Sequence, residues 1–241
     1  MRLLPPIHVV IPMKDRVALT AALVEQLVEQ GAHRRVWVYD NGCGPTARRW
    51  LHRAARRGHL VVVEASGQRL HTMWNDGIDR ARAEDPEADI AILNNDLVLG
   101  EAFLHRLQVG LHSAPDLWAV SPNYAGRDLS GVARVTSTFK HGGLAGFAVL
   151  ARAEAFQSVR FDERFAWWYG DDDFVWQVEQ AGRRVAIVGN ATVEHVGGGS
   201  RTVLYDAATV ATIEADLLYG LQKWFAGQPD SKRPTSNSSS A

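Results

Sequence analysis

The sequence is short of several things, and each shortage excludes a class of protein. One cysteine, Cys43, stands among 241 residues, so an intrachain disulfide and a cysteine-based zinc site are both excluded. That scarcity suits a reducing compartment, and a cytoplasmic, unprocessed protein is expected. An excess of one charge is missing too: 26 Lys and Arg face 27 Asp and Glu, for a net charge of -1. A globally basic nucleic-acid binder and an acidic disordered chain are thereby excluded, and any polyanion site must be local. Long apolar runs are absent, since charge interrupts every one well short of the ~20 residues that span a bilayer, and no signal-peptide core opens the chain. Lysine is scarce as well, four against 22 arginines, which leaves the planar guanidinium fork as the main cation for any phosphate.

What is present alternates. The apolar run Ile7 to Ile11, stopped by Pro12, predicts a strand, and helical spacing over Ala18 to Gln30 predicts a helix. Val36 to Tyr39 is a second strand, Thr46 to Arg57 a second helix ended by Gly58, Leu60 to Glu64 a third strand and Thr72 to Glu84 a third helix. Ile90 to Leu93 is a fourth strand. Such alternation predicts an α/β fold in which right-handed crossovers build a mostly parallel central sheet flanked by helices. Ligands of these sheets lie beyond the carboxyl ends of the strands. The second half reads as a glycine-led strand over Gly142 to Ala151, a helix over Asp171 to Gly182, a strand over Val185 to Val188 and an amphipathic C-terminal helix over Asp206 to Phe225 packed on the domain. Residues 1–226 form one domain in this reading, and 227–241, rich in Ser, Pro and Asn, form a disordered tail.

Three segments carry chemistry. In IAILNNDL, Asn94, Asn95 and Asp96 sit just past an apolar strand, where oxygen ligands can meet a divalent cation and a pyrophosphate; a capping turn is the plainer alternative. In FDERFAWWYGDDDF, a first-turn carboxylate is favoured by the helix dipole, which accounts for one aspartate or two. Three adjacent ones, Asp171, Asp172 and Asp173, directly after Trp167, Trp168 and Tyr169, suggest a general base beside an aromatic platform. In VEHVGGGS, His195 is a potential metal ligand followed by glycines that permit close approach, although a lone histidine is more often structural.

IHVVIPMKDR, VWVYDNGCG, WNDGIDRA, DIAILNNDLVL, GGLAGFAVLARAEAF, FDERFAWWYGDDDF, AGRRV and HVGGGS follow one another in the order and spacing of a known family. Over residues 7–200 the chain resembles the GT-A-fold nucleotide-sugar glycosyltransferases of the family-two type. The resemblance implies a single GT-A, Rossmann-like domain, with a nucleotide-sugar half over about 1–96 and an acceptor-binding and catalytic half over about 97–226. It also implies a nucleoside-diphosphate sugar as donor and Mn2+ or Mg2+ as cofactor. Asp40 matches the aspartate that binds base or ribose; Pro12, Lys14 and Asp15 match the loop around the nucleoside; Asn75 and Gly77 match a segment near the donor. Asn94, Asn95 and Asp96 stand at the metal motif, with Asp96 as the ligand and Asn94 in place of its first acid, and His195 matches a histidine that completes the metal shell. Asp171 matches the base, a slip of one residue would nominate Asp172, and Asp173 is the helix-side acid. Gly170 stands where a Glu is usual and Gln177 where a basic residue is usual. Arg201 is placed to reach the diphosphate.

The chemistry implied is a metal-dependent inverting transfer. A cation between the phosphates stabilises the leaving group, a carboxylate takes the acceptor's proton, and a single attack with no second nucleophile inverts the anomeric carbon. Two other readings compete. A nucleotidyltransferase would place a glycine-rich basic loop after the first strand, which Pro12 to Arg16 is not, and a non-catalytic sugar-nucleotide binder has no use for adjacent acids. The acceptor is a glycan, a lipid-linked group or a small molecule. Arg48, Arg49, Arg53, Arg56 and Arg57 make one helix basic, either as a solvated face or, through Arg49, Arg53 and Arg57, as a contact for DNA bearing hydroxymethylated bases.

Overall fold

In the computed structural model, residues 4–124, 131–135 (backbone alone for 132–135), 144–196 and 206–226 are described. The disordered-tail expectation for 227–241, the glycines Gly142, Gly143 and Gly197 to Gly199, residues 125–130 and 136–143, and Arg201 lie outside the described residues.

The first half alternates strand and helix: β1 (Ile7–Met13), α1 (Val17–Gln30), β2 (Arg35–Asp40), α2 (Pro45–Arg56), β3 (Val61–Glu64), α3 (Leu70–Glu84) and β4 (Asp89–Leu93). The remainder contributes β5 (Leu97–Leu99), α4 (Phe103–Leu111), β6 (Leu117–Asn123), β7 (Val132–Val135), β8 (Ala148–Arg152), α5 (Gly170–Gln180), β9 (Arg184–His195) and α6 (Ala207–Trp224). The strands join in the order β3-β2-β1-β4-β8-β6-β9-β5, with β7 on β9. β1, β2, β3 and β4 run parallel, as do β6 and β9, while β8, β5 and β7 pair antiparallel. The result is a mostly parallel α/β sheet with helices on both faces.

The alternation of β1 shows why both faces are covered. Val9 and Ile11 point into one apolar layer with Leu23 and Leu27 of α1, Leu51 of α2 and Leu104 and Leu107 of α4. Val10 points into the other with Trp74 and Ile78 of α3 and Phe174 and Val178 of α5. A strand buried on both faces must be apolar throughout, which is how IHVVI reads. Gly77 belongs to this packing: a Cβ there would stand 2.5 Å from Val10 Cγ1, so the glycine lets α3 lie close against β1.

Three expectations need correction. Pro12 does not stop β1, which continues to Met13. Its ladder with β4 ends at Val10, so the edge on that side makes no demand on the N–H that proline lacks. The strand expected from Gly142 begins only at Ala148, because Leu144 to Phe147 form a loop. The apolar stripe of α6 packs only in part: Val210 and Leu218 are exposed, whereas Ile213, Leu217, Leu221 and Phe225 are half-buried and Trp224 is buried. Asp216 is buried beside them, so polar contacts that a hydrophobicity pattern misses add to the docking of α6.

Candidate active site

The antiparallel register of β5 and β9 pairs Leu97 with His195, which sets Asp96 beside the end of β9. Val196 N–H donates to the Asp96 carbonyl at 3.0 Å and closes this corner. His195 Nε2 lies 3.0 Å from one Asp96 carboxylate oxygen, and Arg16 Nη1 donates to the other at 3.0 Å. The carboxyl is nearly buried, which raises its pKa. The hydrogen bond and charge of His195 and the charge of Arg16 outweigh that and hold it below the usual carboxylate range. Phe147 stacks on the imidazole with ring centroids 4.3 Å apart, and Tyr124 meets Phe147 edge-on.

One carboxylate and one imidazole suit Mn2+, and less well Mg2+, as a partial ligand set. Among the described residues no group of three or more His, Cys, Asp or Glu side chains is arranged to hold an ion. A cation here would therefore complete its shell with phosphate oxygens and water. Asn94 keeps its place through its N–H, which donates to the Phe147 carbonyl at 2.8 Å, and the Asn95 amide donates to Thr20 Oγ1 at 3.0 Å.

The acidic segment starts α5. Asp171 accepts from the Asp172 N–H at 3.1 Å, and the Gly146 N–H also lowers its pKa by hydrogen bonding, but burial outweighs both and pushes its carboxyl up. Burial, followed by the neighbouring charges of Asp171 and Asp173, pushes Asp172 up to about 7. Two adjacent shielded carboxylates resist ionising together, so they titrate as a pair. A Cβ at Gly146 would stand 2.6 Å from Asp171 Oδ2, so only glycine lets this backbone lie against the acid. Consecutive residues thus join the two acidic sites: Gly146 abuts Asp171, and Phe147 abuts His195. This loop had been read as part of a strand.

Asp173 corrects the expectation of a catalytic role. It is completely buried, and its oxygens accept from Lys223 Nζ at 2.7 Å, Trp224 Nε1 at 2.9 Å and Gln177 Nε2 at 2.7 Å. Its carboxylate is a brace between α5 and α6, closed to any substrate. Gln177, which stands where a basic residue is usual, is one of its donors, and Lys223 supplies the positive charge from α6. Gly170 has an equally local reason, since any side chain there would run into the ring of buried His71.

Asp216, which nothing in the sequence pattern singled out, holds the turn before α5. Its carboxylate accepts from the N–H groups of Ala166, Trp167 and Trp168 at 2.8, 2.9 and 2.8 Å. The turn ends on Tyr169 at φ 61, a conformation seldom adopted by residues other than glycine. Trp167 is left 70% exposed, so it is a platform rather than a core residue.

At the other end of the sheet's upper edge, Asp40 is buried and occupied: one oxygen accepts from the Cys43 N–H at 2.7 Å and the other from Arg48 Nε at 3.0 Å. A nucleoside would reach Asp40 by displacing Arg48, whose side chain is 45% exposed. Pro12 pairs with Tyr39 and Met13 with Asp40 at the end of the ladder, Lys14 is exposed, and Asp15 accepts from the Gly44 N–H at 2.8 Å. A cavity of about 260 Å³ opens between this loop and the start of α2. Asn75 serves as a strut: its amide donates to the Phe161 carbonyl and to Glu163, each at 2.9 Å, tying α3 to the loop that leads into α5. Arg49, Arg53 and Arg57 are exposed along α2 or at its end.

No protein-family profile matches the sequence, and no curated protein matches it. Solved structures do. A mannosyltransferase from Pyrobaculum calidifontis, in complex with GDP-Man and Mn2+, superimposes with a TM-score of 0.63 at 16% identity, over 82% of this chain and 59% of that one. GalNAc-T7 with UDP, GalNAc and Mn2+ gives 0.63 at 12% identity, over 95% of this chain and 52% of that one. S. aureus TarS 1-349 gives 0.61 at 12% identity, over 79% of this chain and 60% of that one. The chain therefore spans little more than half the length of these enzymes. Among its described residues no helix is long and apolar enough to cross a membrane. Its sheet and crossovers are those of the GT-A-type glycosyltransferase fold.

Proposed function

We propose that the protein is a metal-dependent, inverting glycosyltransferase of the family-two type that moves a sugar from a nucleoside diphosphate to an acceptor hydroxyl. The observation that carries this reading is the Gly146–Phe147 loop, which brings the raised carboxylates of α5 and the Asp96–His195 pair onto its two sides. Asp96 and His195 would hold Mn2+ or Mg2+, which supplies Lewis-acid stabilisation of a diphosphate leaving group. Lys14, Asp15 and Asp40 line the nucleoside side, and Arg201 is assigned to the diphosphate from its place just after the glycines of HVGGGS alone. Asp171, facing the loop, accepts the proton of the acceptor hydroxyl as that oxygen attacks. Asp172 shares the pair's charge and sets the pH at which the base is available. With one base and, among the described residues, no second nucleophile at the loop, displacement inverts the anomeric centre.

The fold neighbours, two of them in complexes with Mn2+ and a nucleotide or nucleotide sugar, support this reading at the level of fold. A thermal-shift panel of UDP, GDP and their sugars with MnCl2 tests it. At least one nucleotide should raise Tm in the presence of Mn2+, and Asp96→Ala should remove that shift. A panel that is flat for the wild type, with no product released from any donor, would exclude the reading.

The exposed indole of Trp167, whose backbone N–H is held by Asp216 in the turn before the acids, supports an acceptor with an apolar sugar face to stack. Trp167→Ala is expected to raise the acceptor KM about tenfold, the loss of roughly 1.4 kcal/mol of stacking, and to leave the donor KM unchanged in steady-state assays.

A further inference from the structure

Arg16 sits where a second positive charge would have to go. Its guanidinium donates to Asp96 at 3.0 Å, on the oxygen that His195 does not take. The two partners differ in freedom: the Asp96 side chain is 8% exposed and that of Arg16 is 53% exposed. A nearly buried carboxylate needs a cation beside it, whereas a half-exposed guanidinium can leave into water.

The backbone explains how the arginine is aimed. Asp15 and Arg16 are consecutive non-glycine residues at positive φ, 57 and 51. Each costs about 1 kcal/mol or more, and such a pair persists only where its surroundings over-determine it. Here the Asp15 N–H donates to Cys43 Sγ at 3.2 Å, and the Asp15 carboxylate accepts from the Gly44 N–H. Arg16 also starts α1 with no side chain capping that helix end and no acid in its first turn. The guanidinium therefore lies at a helix end whose partial positive charge already favours an anion.

We infer that Arg16 couples the two ligands of this site: it neutralises Asp96 until a divalent cation takes the carboxylate, and it then turns its guanidinium to the nucleoside diphosphate that arrives with the cation. The inference rests on the reading of Asp96 and His195 as cation ligands given above. A divalent ion on Asp96 and a guanidinium 3 Å away repel each other, so the ion alone binds against Arg16. A diphosphate gives the displaced guanidinium a bidentate partner and converts the opposition into cooperativity. By linkage the nucleotide strengthens the ion by the same factor as the ion strengthens the nucleotide.

The test is a titration of MnCl2 followed by the EPR signal of free Mn2+, with and without saturating UDP or GDP, on the wild type, Arg16→Gln, Arg16→Lys and Asp96→Asn. For the wild type, one nucleotide should tighten Mn2+ about tenfold or more, within the usual range of coupling. Arg16→Gln should bind Mn2+ alone several-fold more tightly and lose most of the nucleotide's effect, and Arg16→Lys should restore much of it. Arg16→Gly, which accepts positive φ without strain, repeats the readout should the glutamine variant fold poorly. If Arg16→Gln and Arg16→Gly keep wild-type Mn2+ affinity and wild-type enhancement while Asp96→Asn loses the ion, the coupling role is refuted and the metal site stands. If the wild type binds no Mn2+ with or without either nucleotide, the metal site fails and the coupling role fails with it.

Discussion

Asp171→Asn is expected to lower turnover by about 10²–10⁴-fold, the usual worth of a positioned general base. Donor affinity should persist, because the nucleotide and cation side of the loop is untouched. Activity of the wild type should rise with pH through about 7, the value to which burial and its acidic neighbours push Asp172, since the pair must lose a proton before Asp171 can take one. Stability should move the other way. A carboxyl raised by folding stays protonated where the unfolded chain has ionised. For Asp172 the folded state is therefore penalised progressively from about pH 4, the ordinary carboxylate value, up to about 7, and Asp171, pushed up by its own burial, adds to the penalty. Asp172→Asn removes the buried charge, so it should unfold at a higher temperature than the wild type at pH 8 and show little difference at pH 4. Thermal unfolding at the two pH values, with rate profiles beside them, measures both effects. A wild-type rate independent of pH between 5.5 and 8.5 would exclude the pair as the base.

The largest effect on stability is expected from Asp173→Ala. The wild-type carboxylate is fully buried against Lys223 and Trp224. Its removal takes from Lys223 the more buried of its two carboxylate partners, Asp162 at 2.8 Å being the other, and strands an indole N–H; breaking a buried pair from one side typically costs about 3–5 kcal/mol. For a domain of this size that corresponds to a Tm lower by roughly 6–20 °C. Lys223→Met together with Asp173→Leu should recover much of the loss, because an apolar pair of similar volume removes both buried charges while Asp162, the other partner of Lys223, keeps Arg164 and Tyr219. Calorimetry on the single and double variants reads this directly. A loss below about 1 kcal/mol, the scale of an exposed ion pair, would show that the brace contributes little.

How far the sequence could be read depended on what recorded each feature. Strands buried on both faces leave unbroken β-branched runs, so β1, β2 and β4 were legible, as were the helices between them. Asp96 and His195, at or just past strand ends, were legible as candidates for the same reason, and both lie with Asp171 of α5 beside one loop. Asp173 could not be separated from its neighbours, because burial on one side of a helix is decided by what packs there, here α6. Asp216 was invisible for a related reason: its partners are backbone N–H groups about 50 residues away, and those carry no residue code. The Gly146–Phe147 loop was read as strand because apolar residues follow it without a break. Only the packing of Asp171 and His195 against it shows that it turns.

The placement of Asp216 fixes when, during synthesis, the site can first exist. The tryptophan turn, the strained Tyr169 and the start of α5 are translated some 40 residues before α6, yet the carboxylate that gathers three of the turn's N–H groups comes from α6. A nascent chain that has released the whole sheet from the ribosome still lacks the group that orients its acids. Catalytic competence therefore begins only once α6 has emerged and docked.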